Sequence, residues 1–396
     1  MKKYSLAPFL LSIILLIVSI VAVGENNTKT VKTNNSTFDE TYEEMRGVWV
    51  SYISLDMQDT DTNEEIFTEK IKSIITTSKE NGFNTLIFQV RPFSDALYES
   101  KYYPWSHILT GTQGENPNFD PLQIICDICH ENDLSVHAWI NPYRVKTSDT
   151  PNTLSVDNPY IKDKSLGFEI NDSIYLDPSN EKARELIING VAEIVKNYDI
   201  DGIQFDDYFY PEGSDNVDIE QYNEYKISKN NPMSKENWRK ENVNTLIKEV
   251  YKTVHKYSDT VVFGISPQGN IENNKALSAD VVTWCEKDGY VDYIAPQIYF
   301  SLDNPALTFE ESLDDWLNLD LHKSLKLYVG LAGYKGGSDA DEGTWLDNDD
   351  ILTNEIEISK ERGADGIMLY SYESFKSEEN EAEIKNVANY LTGVKQ

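Results

Sequence analysis

The chain has 396 residues, a length suited to one large barrel-sized domain with short extras. It carries 67 acidic against 35 basic residues, a formal net charge of −32, with no basic stripe. So acidic a surface repels phosphate backbones and argues against a nucleic-acid partner.

Met1-Lys2-Lys3 and the apolar run from Ala7 to Val23 predict a secretory signal or an uncleaved N-terminal anchor over residues 1–24. Ser19 to Gly24 offers small residues for cleavage, and the run lies at the short end of what spans a bilayer. Cleaved export and a membrane tether therefore both stay open. No cysteine follows the run, which removes the usual lipoprotein signal. The expected location is extracellular, or anchored at the outer face of the cytoplasmic membrane. Residues 25–44 are rich in Asn, Thr, Ser and Glu without apolar period and read as a disordered linker.

From residue 45 to 392, short β-rich runs alternate with helical patterns. The strand candidates are Arg46–Tyr52, Thr85–Arg91, Leu134–Asn141, the run inside Asp199–Pro211, Val261–Pro267, Val291–Tyr299, Leu325–Ala332 and Gly366–Tyr372. Helical periodicity fills most gaps, from Asn63–Asn81 (stopped by Gly82) through Pro121–Asn132 and Asn237–Tyr257 to Glu378–Leu391. Eight strands interleaved with eight helices predict an α/β protein with a parallel sheet. The count and length favour a single (β/α)8 TIM barrel over an open doubly wound sheet, which would show a glycine-rich phosphate turn after its first strand.

A barrel gathers its site at the C-terminal strand ends. Those ends supply Tyr52 and Asp56; Gln89, Arg91 and Asp95; His137, Trp139, Asn141, Tyr143 and Arg144; and Gln204, Asp206, Asp207 and Tyr208. Later strands supply Ser266 and Gln268, Gln297 and Tyr299, Tyr334 and Lys335, then Tyr372 and Glu373. Rings stack on the apolar faces of sugars, while amides and carboxylates bind hydroxyls around the edge. A polysaccharide is the partner this rim suits. The five histidines form neither HxH on a strand nor HExxH on a helix, and no GxSxG elbow occurs. Cys126 and Cys129 fall on one helix with only His130 near, and read as buried apolar thiols. No metal or other cofactor is expected.

MRGVWVSY, NTLIFQVRPFSDALYES, HAWINPYR, DGIQFDDYFYP, GISPQG, APQIYFS and DGIMLYSYES together resemble the glycosyl-hydrolase-like 10 family. The resemblance spans roughly Glu44 to Leu391. It implies an exported TIM-barrel glycoside hydrolase acting on peptidoglycan glycan, in particular strands stripped of their peptides. It also makes Asp206 and Asp207 the leading catalytic pair. Strand alternation puts Gln204, Asp206 and Tyr208 on one face, so Asp206 is expected inward and Asp207 able to turn in beyond the strand. The second carboxylate is expected from Glu373 or Asp95, since the strand-seven segment GLAGYKGG has no acid. Sugar binding is expected from Gln89, Arg91, His137, Trp139, Asn141, Tyr143, Arg144, Tyr208, Gln268, Gln297 and Tyr299, with the arginines suited to a lactyl or other carboxylate. A weaker likeness to the DGxDxDxE motif of chitinase-like barrels departs at Gln204 and Tyr208, which stand where that motif has acids. N-acetyl sugars could still assist from the substrate. The rival reading is a non-catalytic glycan-binding barrel.

Overall fold

Why the short runs become strands is visible in their burial. Val48 to Val50, Leu86 to Arg91 and Gly202 to Phe205 are inaccessible on both faces, as strands covered inside by a core and outside by helices must be. The computed structural model describes residues 44–58, 62–346 and 348–394; the predicted export segment and the linker up to residue 43 lie outside them. In chain order the strands are β1 (Met45–Val50), β2 (Thr85–Arg91), β3 (Ser135–Ile140), β4 (Arg144–Lys146), β5 (Gly167–Ile170), β6 (Ser173–Leu176), β7 (Gly202–Phe205), β8 (Val262–Ile265), β9 (Tyr293–Ile294), β10 (Lys326–Leu331) and β11 (Gly366–Leu369). Eight of them pair in parallel and close in the order β1-β11-β10-β9-β8-β7-β3-β2. The chain is a (β/α)8 barrel, and its eight staves are the eight runs expected from the sequence.

Local chemistry sets the helix ends. Asn63 accepts from the Ile66 amide to open Glu64–Glu80, and Gly82 at φ 87° ends that segment where a side chain would be strained. Asn180 caps Glu181–Asn197 by accepting from Lys182 and Ala183. Thr308 and Glu311 form a capping box at Phe309–Leu317.

Two packed regions hold the barrel. Inside, Trp49, Ile87, Trp139, Tyr293, Tyr328 and Met368 interdigitate. This filling needs glycine opposite the largest groups: a Cβ on Gly264 would lie 2.1 Å from the Tyr293 ring, and one on Gly202 2.6 Å from His137. Outside, helix faces pack on the strands, and Cys126 and Cys129 are fully buried there as free thiols. Burial pushes Cys126 up to about 12, which suits an inert apolar group.

The loop after β3 holds an element the sequence did not announce. Strands β4, β6 and β5 form a three-stranded antiparallel sheet beside the barrel. They are three or four residues long, too short for alternation to register against the surrounding Asp, Ser, Pro and Asn. The helix Ile219–Ser228 was equally hidden, because it buries no residue.

Candidate active site

Strand β7 stops at Phe205, so the alternation that would send neighbours to opposite faces no longer binds the next two residues. Asp206 and Asp207 both turn into the barrel mouth, each 2% exposed. They line a cleft of about 320 Å³, together with Trp49, Trp139, Tyr208, Ser266, Gln268, Gln297, Tyr299, Tyr334 and Tyr370. Such a volume is at the lower end for small-ligand sites, which run from about 300 to 1,000 Å³.

Asp206 sits at the end of a directed relay. The Tyr52 backbone N–H donates to Gln89 Oε1 at 3.0 Å, Gln89 Nε2 donates to Asn141 Oδ1, and Asn141 Nδ2 donates to Asp206 Oδ2. A backbone N–H can only donate, so it fixes both amides and makes Asp206 Oδ2 an acceptor. The Trp139 indole donates to the same oxygen at 3.4 Å, and the Tyr208 amide approaches Oδ1 at 3.4 Å. Asp207 is held from the other side, accepting from Gln268 Nε2, while Gln297 Nε2 donates to the Ser266 carbonyl at 2.9 Å.

Burial and then the Asp207 carboxylate push Asp206 up to about 7. Burial likewise raises Asp207, against donors on Gln268 and Gln297. Two carboxyls side by side in a dry cleft resist double ionisation, so near neutrality the pair retains a proton. Arg144 offsets part of this cost, since its charge favours both carboxylates. Its Nε donates to the Pro92 carbonyl at 2.8 Å, and its guanidinium lies 4.6 Å from the Phe93 ring centre and 5.7 Å from that of Tyr208. The β4–β6 pairing, with Arg144 opposite Tyr175, holds that position. Arg144 Nη2 has no hydrogen-bond partner among the described residues.

Across the cleft stand rings. Tyr299, Tyr334 and Tyr370 meet with centroids 5.8 to 6.0 Å apart, two of the three contacts edge-on. Trp49 donates its indole N–H to Gln204 Oε1 at 3.0 Å beneath them.

Of the expected site residues, Trp139, Asp206, Asp207, Tyr208, Gln268, Gln297 and Tyr299 meet at the cleft. Gln89 and Asn141 act behind Asp206 through the relay, and Arg144 lies beside the pair. Five others are placed elsewhere. Arg91 follows a register shift between Gln89 and Arg91, a bulge that pairs it with outward-facing Ile140. Its guanidinium is buried under the helix Glu181–Asn197, 4.5 Å over the Tyr103 ring, in space kept open by Gly190. His137 faces inward but one layer below the cleft, bonded to the Tyr293 hydroxyl at 3.0 Å, and burial lowers it to about 4. Tyr143 is fully buried against Phe209 in the outer core. Asp95 is buried within the loop after β2, bonded to His107 Nδ1 at 3.0 Å and Gln113 Nε2 at 3.1 Å. Glu373 accepts from Ser54 Oγ and pairs with Lys376 at 3.2 Å, outside the cleft.

Trp49 and Tyr370 are cleft residues that sequence reasoning passed over. Parity could have found both. Trp49 shares the inward face of β1, and Tyr370 stands two residues after inward Met368, just past β11.

The order of these groups along the chain matches a known pattern. The model of the family described as Glycosyl hydrolase-like 10 matches residues 44–347. The chain belongs to that family. It is 34% identical over 345 residues to "Glycosyl hydrolase YngK" of Bacillus subtilis (strain 168), covering 80% of this chain and 67% of that protein. It is 32% identical over 349 residues to "Glycosyl hydrolase DigH" of Escherichia coli (strain K12), covering 79% of each. Among solved structures, the PgaB (BpsB) glycoside hydrolase domain from Bordetella bronchiseptica aligns with TM-score 0.55 at 13% identity, over 89% of this chain and 99% of that one. The catalytic domain of a β-amylase from Paenibacillus polymyxa aligns with TM-score 0.56 at 11% identity, over 89% and 99%. At those identities the shared property is the barrel.

Proposed function

We propose that the protein is an exported glycoside hydrolase that cleaves a bacterial cell-wall glycan, with peptidoglycan strands as the substrate. The observation that carries this reading is the pair Asp206 and Asp207, buried side by side at the centre of a ring-lined cleft. Burial raises both carboxyls, so near neutrality the pair retains a proton, the property a general acid needs to protonate a leaving oxygen. The rings supply stacking surfaces for pyranoses, and Gln268 and Gln297 supply amide donors at the pair. Arg144 favours an acidic glycan through its charge, which acts on both carboxyls of the pair and suits a glycan bearing a lactyl carboxylate freed of its peptide. Export rests on the apolar run before residue 24.

The decisive experiment incubates purified peptide-free glycan strands with wild type and with Asp206→Asn and resolves the products by mass. Shortened strands from wild type alone support hydrolysis. Strand binding by both proteins with no product from either would leave the glycan-binding barrel as the reading.

A further inference from the structure

The cleft has carboxyls on one side only. Among the described residues lining it, the only acids are Asp206 and Asp207, consecutive at the end of β7. In the closed order, β11 stands opposite β7, flanked by β1 and β10. Those three strands contribute Tyr370, Trp49 and Tyr334, all rings. The acid that follows β11, Glu373, is tied to Ser54 and Lys376 instead. Two-carboxylate hydrolysis needs its groups to flank the scissile bond, one delivering a proton and the other serving as nucleophile or activating water. Two neighbours on one strand end, facing rings, do not provide that arrangement. Nor do the phenols replace it, since burial raises Tyr299, Tyr334 and Tyr370 further above their ordinary values and keeps them protonated.

We infer that the nucleophile is carried by the substrate: the 2-acetamido group of an N-acetylhexosamine bound over the Asp206–Asp207 pair. This rests on the reading of the site as a glycosidase. Asp206 orients the acetamido group. Its Oδ2 is already held as an acceptor by the anchored relay through Gln89 and Asn141 and by the Trp139 indole, which favours its ionised form and leaves Oδ1 to accept the acetamido N–H. Asp207 is the proton donor. Its partner Gln268 has no equivalent anchor among the described residues and can turn its amide oxygen toward a protonated Asp207, whose carbonyl oxygen still accepts from Gln297.

The step balances within substrate and protein. The acetamido carbonyl oxygen bonds to C1 as the C1–O glycosidic bond breaks, and Asp207 gives its proton to the departing oxygen. The positive charge left on the oxazolinium ring is met by the Asp206 carboxylate across its N–H. Water then attacks C1, the C1–O bond to the acetamido oxygen breaks, and the water's proton returns to Asp207. One glycosidic bond and one water are consumed, and two inversions leave the anomeric configuration retained.

The test compares wild-type cleavage of one peptide-free cell-wall glycan before and after chemical de-N-acetylation, with NMR of the first-formed anomer and inhibition by N-acetylglucosamine thiazoline. The expected result is a retained β-anomer, competitive inhibition by the thiazoline, and cleavage of the de-N-acetylated strand slower by roughly 100-fold or more. That loss is modest for an oriented internal nucleophile, whose effective molarity is on the order of 10⁵ M or higher. Equal cleavage of both strands, or an inverted first product, would overturn this inference while leaving the hydrolase reading intact. Cleavage of neither strand, with no thiazoline binding by calorimetry, would overturn both.

Discussion

Replacing Asp206 by asparagine should stabilise the fold while removing activity. Asp206 is 2% exposed, and its carboxyl is raised from an ordinary 3.8 to about 7 by burial first and by Asp207 second. A raised acid binds its proton more tightly in the folded chain. Its contribution to stability is therefore fully present below pH 4 and is lost as the pH climbs through about 7. Above both values the deficit is on the order of 4 kcal/mol, three tenfold steps in proton affinity at about 1.4 kcal/mol each. The other groups named with it, Arg144, the Trp139 indole and the Tyr208 amide, all act to lower the value and are already counted in it. Asparagine keeps an oxygen for Asn141 to donate to and can donate its own amide toward Asp207. We therefore expect Asp206→Asn to gain roughly 2–4 kcal/mol over wild type at pH 8 and far less at pH 4, with hydrolysis down at least about 100-fold. Urea unfolding at both pH values measures the first, and strand cleavage the second. A variant less stable than wild type at pH 8, or losing stability with pH in parallel with it, would refute the reasoning.

Three further outcomes follow from the geometry. Glu373→Gln should keep kcat/KM within a few-fold of wild type, because Glu373 bonds Ser54 and Lys376 outside the cleft; a loss comparable to that of Asp206→Asn would return it to the reaction. Gly190→Ala should lower the unfolding free energy by roughly 1–3 kcal/mol, since the new Cβ would meet Arg91 Nη1 at 2.2 Å and the Tyr103 ring at 2.6 Å. Helix propensity alone predicts the opposite sign, by about 1 kcal/mol, so urea midpoints decide whether the guanidinium is wedged there. Tyr370→Ala should raise KM several-fold through a lost stacking face of about 0.5–1.5 kcal/mol; kinetics that lower kcat alone would assign the ring another role.

The sequence alone determined the barrel, and it pointed to the strand end at which the candidate cleft lies. Eight apolar runs and their helices were readable because both periods are local, and the acids after β7 stood out because a buried strand does not end in two carboxylates by propensity. Depth and direction were decided by tertiary structure. Arg91 and Gln89 are two residues apart on one strand and look equivalent, yet a bulge between them sends one outward under Gly190 and leaves the other inward in the relay. His137 and Trp139 share a face, but only the second is high enough to reach the cleft. Asp95 and Glu373 carry the right chemistry and were captured by His107, Gln113, Ser54 and Lys376, partners up to 319 positions away in the chain. Alternation along a strand is a near-neighbour property; which layer a side chain occupies, and what binds it there, depends on closure of the whole barrel.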